Sequence, residues 1–280
     1  PVPEIVGLVE HLVSRKQPVF GEKAGLADFA GLVWADELAE ATGDDRYKRL
    51  LLEVADRFGH AESSAPPRPC DPDLRVEDMF FAAAILGRAY TFTGDDAYLD
   101  LLTGFLALAP EVQRGGLFWH CRSSPFFWGR GNGFAALGFS EALTALPRDH
   151  PERGKLLEIH RLHLRAVCAL QAPSGMFRQV LDFAGSYEEL SATCMFGYAM
   201  ARGLRMGWLD DSFRGPLQRA WGAASLRTDD NGGLTGVCAG TGPQKTLQAY
   251  LDRPALSGLD DRGGSLALWF ATEVAALQRA

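Results

Sequence analysis

The chain has no run of 18 apolar residues, so the sequence offers no membrane-spanning helix. It has no C-x-x-C pair. Its five cysteines, Cys70, Cys121, Cys168, Cys194 and Cys238, are odd in number and widely spaced, which argues against a disulfide framework and against a zinc site. Cys168 and Cys194 fall in apolar helical patterns and read as small core residues. Acids outnumber bases: the net charge is −7 and the acids are spread out, which argues against nucleic acid and anionic membrane as main partners. The start, Pro1-Val2-Pro3-Glu4, has neither Met nor the basic region and apolar core of a secretory leader. With unpaired thiols, the expected compartment is the cytoplasm. Alternating strand and helix patterns are missing too, and no dinucleotide-binding fingerprint occurs. The segment Gly240-Thr241-Gly242-Pro243-Gln244-Lys245-Thr246 imitates a phosphate loop, but Gln244 stands where a glycine must precede the lysine.

What is present is mostly helix. The 280 residues are 47% hydrophobic, enough for one large core, and residues 1–280 are expected to form one domain. Apolar residues recur at helical spacing over 3–13, 24–42, 46–58, 74–92, 133–146, 152–170, 190–206, 213–227 and 264–280. Two turns repeat about 51 residues apart: Thr42-Gly43-Asp44-Asp45-Arg46-Tyr47 and Thr93-Gly94-Asp95-Asp96-Ala97-Tyr98. In each, Gly stops one helix and Asp caps the next, and the Tyr is expected to pack between the pair. Residues 16–23 and 60–73 read as loops. Segments 110–132, 172–188 and 228–263, rich in Gly and aromatics, join successive hairpins. If the hairpins close a ring, these segments share one face, and that face carries the function.

The stretch Trp128-Gly129-Arg130-Gly131-Asn132-Gly133-Phe134 concentrates an aromatic face, a guanidinium, an amide and three glycines. Aromatic rings stack on sugar faces, Arg forks onto carboxylates, and glycines allow close backbone approach. A pocket for a sugar bearing a carboxylate is one reading; a glycine-rich opening of an ordinary helix, with Trp128 and Phe134 in the core, is the other. Glu77 and Asp78 open an apolar helix before Met79-Phe80-Phe81. They either serve the helix dipole or are desolvated into proton donors. Of six histidines, His120 in Leu117-Phe118-Trp119-His120 is the one placed in a site; His160 and His163 share a helix face without acidic or Cys partners at metal spacing. Glu189 and Ser191 open another helix, as caps or as lining of the ring's mouth. Arg178 and Gln179 lie in an inter-hairpin segment and are candidate ligand contacts.

These segments in this order resemble the unsaturated glucuronyl and rhamnogalacturonyl hydrolases, glycoside hydrolase families 88 and 105. The match takes in Ala41-Thr42-Gly43-Asp44, residues 77–81, Leu117-Phe118-Trp119-His120, residues 125–133 and Gly175-Met176-Phe177-Arg178-Gln179. It continues through residues 189–193, Val237-Cys238-Ala239-Gly240-Thr241 and Tyr250-Leu251-x-Arg253-Pro254. The resemblance implies an all-α (α/α)6 barrel, a toroid of helical hairpins with the site in its central funnel. The chain is short for that family, which points to a missing first hairpin. The implied substrate is an oligosaccharide ending in a 4,5-unsaturated uronyl residue, cleaved after protonation of the C4=C5 bond and addition of water at C5. No metal or organic cofactor is implied. Catalysis would fall to Glu77 or Asp78 with His120, and binding to Trp128, Arg130, Asn132, Phe134, Arg178, Gln179, Glu189 and Ser191. Two departures stand out. The family usually has Asp at the position of Glu77, and a second Asp near Ser123, where His120-Cys121-Arg122-Ser123-Ser124 contains no acid. Phe134 and Phe177 stand where Trp is common. A catalytically silent sugar-binding toroid is the competing expectation. Oligomeric state is left open.

Overall fold

The computed structural model describes residues 2–15, 19–21, 24–59 and 65–280. The loop readings at 16–23 and 60–73 therefore fall partly outside the described residues. Twelve α-helices are described: α1 (Val2–Val13), α2 (Leu26–Ala30), α3 (Ala35–Thr42), α4 (Asp45–Ala55), α5 (Val76–Thr93), α6 (Asp96–Leu106), α7 (Gly129–Ala145), α8 (Arg153–Cys168), α9 (Leu190–Arg205), α10 (Arg214–Ser225), α11 (Leu247–Leu251) and α12 (Asp261–Arg279). Three two-stranded antiparallel ribbons sit in the connections: β1 (Gln113–Arg114) with β2 (Leu117–Phe118), β3 (Phe177–Arg178) with β4 (Glu188–Glu189), and β5 (Leu234–Cys238) with β6 (Ala255–Gly258).

The helices alternate between an inner and an outer layer of the expected (α/α)6 barrel. The inner layer runs from the broken α2–α3 pair through α5, α7 and α9 to α12. Helices α4, α6, α8 and α10 pack outside α5, α7 and α9, and α1 packs on α3 and α4. Among the described residues this amounts to five inner helical positions. The expected continuous helix over 24–42 is interrupted by turns at residues 31–34, where the Gly31 and Leu32 N–H groups reach Asp28 and Phe29 carbonyls in tighter i→i−3 bonds.

The repeated turns follow their chemistry. Gly43 and Gly94 adopt φ of +71° and +69°, a conformation that favours glycine. Asp44 and Asp95 accept the N–H of Arg46 and Ala97, capping α4 and α6. The two tyrosines diverge. Tyr47 is buried edge-on against Trp34, whereas Tyr98 is only half-buried and donates its hydroxyl to Asp56 at 2.9 Å. Their surroundings differ although their turns do not. The five cysteines are free; Cys194 is buried, and Cys168 is half-buried against Met200.

Inner helices meet along the axis through Phe80, Ala84, Leu137, Met195 and Tyr198, with Val33, Phe81, Phe134, Leu266 and Trp269 packed against them. Away from the N-termini of α5, α7 and α9 an ion network links the successive inner helices α3, α5, α7, α9 and α12. Arg88 pairs with Asp36 (2.9 Å) and Glu141 (3.0 Å), Tyr198 donates to Glu141, and Glu273 holds Arg202 and Arg205 at 2.8 and 2.6 Å. With that end occupied, the chemistry-bearing connections collect at the other end, where helix N-termini favour negative charge. No described helix is long and apolar enough to cross a membrane.

Candidate active site

Glu77 and Asp78 are neighbours that face different ways, because successive helical residues are about 100° apart. Glu77 shares its stripe with Phe81, Ala84 and Arg88 and faces the axis. Asp78 shares its stripe with Ala82, Ile85 and Ala89, which belong to the outer core. Both carboxyls are buried.

Glu77 Oε1 lies 3.0 Å from His120 Nε2 and accepts Arg75 Nη2 at 2.9 Å. Burial pushes its carboxyl upward, but the His120 and Arg75 contacts outweigh burial and hold it below the ordinary range. For Asp78 burial wins. Its carboxyl is pushed up to about 7, although the Asp71 N–H (2.7 Å from Oδ2) and Arg75 pull the other way. Two adjacent acids are thus pushed in opposite directions by their surroundings.

His120 is fully buried, with Nδ1 2.5 Å from the Tyr250 hydroxyl. Trp128 lies against its ring at 4.6 Å between centroids, and the Arg130 guanidinium sits over Trp128 at 5.1 Å. Glu77, His120, Trp128 and Arg130 therefore form one contiguous stack at the barrel mouth.

The glycine-rich stretch is helix, not loop: Trp128 is the N-cap and residues 129–133 already belong to α7. Its glycines serve protein packing. A Cβ on Gly129 would collide with the Arg178 carbonyl, one on Gly131 would come within 2.9 Å of the Trp128 ring, and one on Gly133 would strike Met195. Trp128, expected as a stacking surface for sugar, is 2% exposed and walls in the dyad. Arg130, expected to fork onto a ligand carboxylate, donates instead to the Cys238 and Ala239 carbonyls at 2.5 and 2.7 Å. Asn132 spends its amide on Phe118 and Trp128, with His163 Nε2 at 3.2 Å from its carbonyl oxygen; it clamps β2 to α7. Phe134 packs on the axis against Phe80 and Phe81, at 5.9 and 5.3 Å between ring centres.

The remaining candidates are divided between rim and frame. Arg178 is half-buried and donates to the Ala184 carbonyl at 3.3 Å. Gln179 is buried, donating to the Tyr250 carbonyl at 2.9 Å and accepting from Ser186. Glu189 caps α9, taking the N–H groups of Ser191 and Ala192, the Ser191 hydroxyl and the Cys238 N–H. That is the capping role, with Ser191 as donor; both side chains are fully buried. His160 and His163 lie in the core between α7 and α8, where burial pushes His160 down to about 3 and His163 well below its usual value.

Residues not singled out in the sequence complete the site. Tyr250 and Ser124 back His120, and Arg75 holds Glu77. Tyr250 lies in one of the segments that carry the family resemblance, which is the signal that could have found it. Asp73 was invisible, because it reaches the acid-free stretch from a loop some 50 residues earlier. Its carboxylate accepts the Ser123 N–H (3.1 Å) and hydroxyl, while its carbonyl accepts the Arg122 N–H (2.9 Å). Burial raises its carboxyl, but hydrogen bonds from Cys121 and Ser123 and the nearby Arg122 charge hold it below the usual range. Leu74, next in the chain, adopts φ of +62°, a strained conformation for a non-glycine residue.

Among the described residues, three buried polar side-chain atoms without a hydrogen-bond partner sit here: Arg75 Nε, Glu77 Oε2 and Trp128 Nε1; the nearby Tyr187 hydroxyl lies against the Cys238 thiol. Buried polar atoms are normally satisfied, so such a cluster marks a place where something else binds. No group of three or more His, Cys, Asp or Glu able to hold a metal occurs among the described residues.

Comparison with known proteins gives the same segments a family. Over 262 residues the chain is 27% identical to the unsaturated rhamnogalacturonyl hydrolase YesR of Bacillus subtilis, covering 85% of this chain and 73% of that protein. It is 28% identical over 193 residues to an unsaturated 3S-rhamnoglycuronyl hydrolase of an Alteromonas species, covering 64% of this chain but about half, 46%, of that protein. The crystal structure of a possible GH105 member from Klebsiella pneumoniae superposes with a TM-score of 0.84 at 20% identity, over 99% of this chain and 77% of that one. This places the (α/α)6 architecture on a solved structure. The profile of Glycosyl Hydrolase Family 88 matches residues 118–278, more than half of the 280, and the chain belongs to that family of glycosidases.

Proposed function

We propose that this protein removes a 4,5-unsaturated uronyl residue from the non-reducing end of short oligosaccharides left by polysaccharide lyases. The observation that carries the reading is the unpartnered set of Glu77 Oε2, Arg75 Nε and Trp128 Nε1 at the barrel mouth. It combines a carboxylate oxygen with two N–H donors, which suits a sugar with its own carboxylate. The relatives' names, rhamnogalacturonyl and rhamnoglycuronyl hydrolases, support the same substrate class.

The chemistry is an addition followed by two collapses. A proton from the Glu77–His120 pair adds to C4 as the C4=C5 π bond breaks. Water adds its oxygen to C5 and gives a proton to a carboxylate. Asp73, ionised and only half-buried, is the carboxylate beside the otherwise acid-free stretch, and it takes that role. The C5 hemiketal opens to a ketone, and the hemiacetal left at C1 releases the alcohol. One water is consumed and no net proton. Asp78, on the core stripe of α5, is assigned to the frame.

One observation favours a silent sugar-binding protein instead: Glu77, His120, Trp128 and Arg130 are all at most 4% exposed. The deciding experiment is incubation with lyase-generated unsaturated disaccharides from pectin and from glycosaminoglycan, following the ultraviolet absorbance of the C4=C5 bond. Loss of absorbance is expected. Binding of these sugars by calorimetry without loss of absorbance would overturn hydrolysis in favour of the silent protein.

A further inference from the structure

The hydrogen bonds behind His120 fix where protons must be. Ser124 Oγ is 2.7 Å from the Gln244 carbonyl oxygen, Tyr250 Oη is 2.7 Å from Ser124 Oγ, and His120 Nδ1 is 2.5 Å from Tyr250 Oη. Each such contact needs one proton between its heavy atoms. The two hydroxyls own two protons. Ser124 must give its proton to the Gln244 carbonyl, which has none to offer. Tyr250 must then give its proton to Ser124, since otherwise two oxygens would face each other at 2.7 Å without one. The Gln244 N–H, 3.1 Å from Tyr250 Oη, occupies one of the phenol's lone pairs and adds nothing to these three contacts. The third proton therefore comes from His120 Nδ1.

His120 Nε2, 3.0 Å from Glu77 Oε1, needs a proton of its own. Together the pair holds two, one more than a neutral imidazole and a carboxylate would. Arg75 donates to the same Oε1 at 2.9 Å and favours the carboxylate form. The pair is thus imidazolium and carboxylate, with a proton in reserve.

We propose that Tyr250 and Ser124 are positioning residues that lock this extra proton onto the Glu77–His120 pair, by presenting His120 with an oxygen that can only accept. The proposal rests on the hydrolase reading for its purpose, since the reserved proton is the one delivered to C4. Its structural content stands without that reading. The charged and titratable groups facing the pair are Arg75 on Glu77, Asp78 beside Arg75, Cys121 in the same segment as His120, Tyr250 from α11, and Arg130 over Trp128. None of these besides Tyr250 touches Nδ1 among the hydrogen bonds of the described residues.

The test is nitrogen-15 imidazole NMR of the intact protein across pH 6 to 9, with the His120 signal assigned by its absence in His120→Gln. Wild type is expected to give an imidazolium signal at pH 7. In Ser124→Ala the phenol proton is released to point at Nδ1, and the imidazolium signal is expected to vanish about one pH unit lower. Ser124→Thr, which keeps the hydroxyl, is expected to match wild type. Tyr250→Phe is expected to shift further, and if it does not fold, Ser124→Ala still decides. A neutral His120 in wild type at pH 7, or an unchanged transition in Ser124→Ala, overturns the proposal. Where activity exists, the basic limb of its pH profile is expected to move with the NMR transition. No absorbance loss on any substrate, with the NMR shift intact, would sink the hydrolase reading and leave the proton placement standing.

Discussion

Glu77 Oε1 sits 3.0 Å from His120 Nε2 with neither side chain more than 4% exposed, while Glu77 Oε2 is buried without a partner. An unpartnered carboxylate oxygen costs stability, on the order of 1–3 kcal/mol, and is retained where a ligand completes it. Glu77→Gln keeps the shape but can neither receive nor pass on a proton. It is expected to lower kcat/KM on unsaturated disaccharides by a factor of about 100 or more, with native circular dichroism. Asp78→Asn is expected to lower it by less than about tenfold, because Asp78 faces the outer core and its amide oxygen can still accept the Asp71 N–H. A larger loss in Asp78→Asn than in Glu77→Gln would reverse the assignment.

Asp73 carries a separate prediction. Its carboxylate is held ionised by Ser123, Cys121 and Arg122 against the pull of burial. As the base for water it is active only when ionised, so activity is lost as pH falls through its folded value. Asp73→Asn is expected to reduce kcat by about 10- to 100-fold. Ser123→Ala removes one stabilising hydrogen bond, so the carboxyl rises and the acid limb of the pH profile moves to higher pH. An acid limb unchanged in both variants would remove Asp73 from the chemistry.

Much of this site was legible because it rests on segments with strong local signals. The paired acids, His120 and the Trp128–Phe134 stretch each stood out in the sequence, and the structure gathers Glu77, His120, Trp128 and Arg130 into one stack. What residue type could not reveal was which polar groups were already spoken for. Arg130 and Asn132 look like ligand residues in a list, but their partners are backbone carbonyls more than 100 and 14 residues away. Asp73 was hidden for the same reason in reverse: its value comes from Ser123, 50 residues on. The fold was legible from helical period and from the turns at Gly43 and Gly94. The break at 31–34 was not, since its cause is local hydrogen bonding rather than a breaker residue at each position.

The glycines of α7 make an ordered pair of predictions. Gly129→Ala places a methyl against the Arg178 carbonyl, which is backbone of β3 and cannot swing aside; Gly133→Ala meets Met195, a flexible side chain. Gly129→Ala is expected to destabilise by several kcal/mol and to uncouple Trp128 from the dyad, and Gly133→Ala by about 1–2 kcal/mol. Urea midpoints check the order, and equal losses would refute it.

Asp78 and the two core histidines tilt the stability curve in opposite directions. The Asp78 carboxyl rises from 3.8 to about 7 on folding, so the native state binds the extra proton between those values. Its contribution to stability is present below pH 4 and is lost as pH rises through 7. Relative to wild type, Asp78→Asn is expected to gain stability as pH rises over that window, by up to about 4 kcal/mol at 1.4 kcal/mol per unit. His160 behaves in reverse. Its value falls from 6.5 to about 3 because burial disfavours the cation, so the unfolded chain binds the proton first. Stability from a neutral His160 is present above pH 6.5 and is lost as pH falls toward 3, at about 1.4 kcal/mol per pH unit. His163, buried beside it and shifted the same way, adds a second such slope. His160→Leu, whose departure leaves Ser140 bonded to the Ala136 carbonyl at 2.8 Å, is expected to flatten the acid side of the curve by one proton. Urea denaturation at half-unit steps from pH 4 to 7 measures both slopes. An acid side equally steep in His160→Leu would mean that this imidazole finds a way to charge without unfolding the barrel.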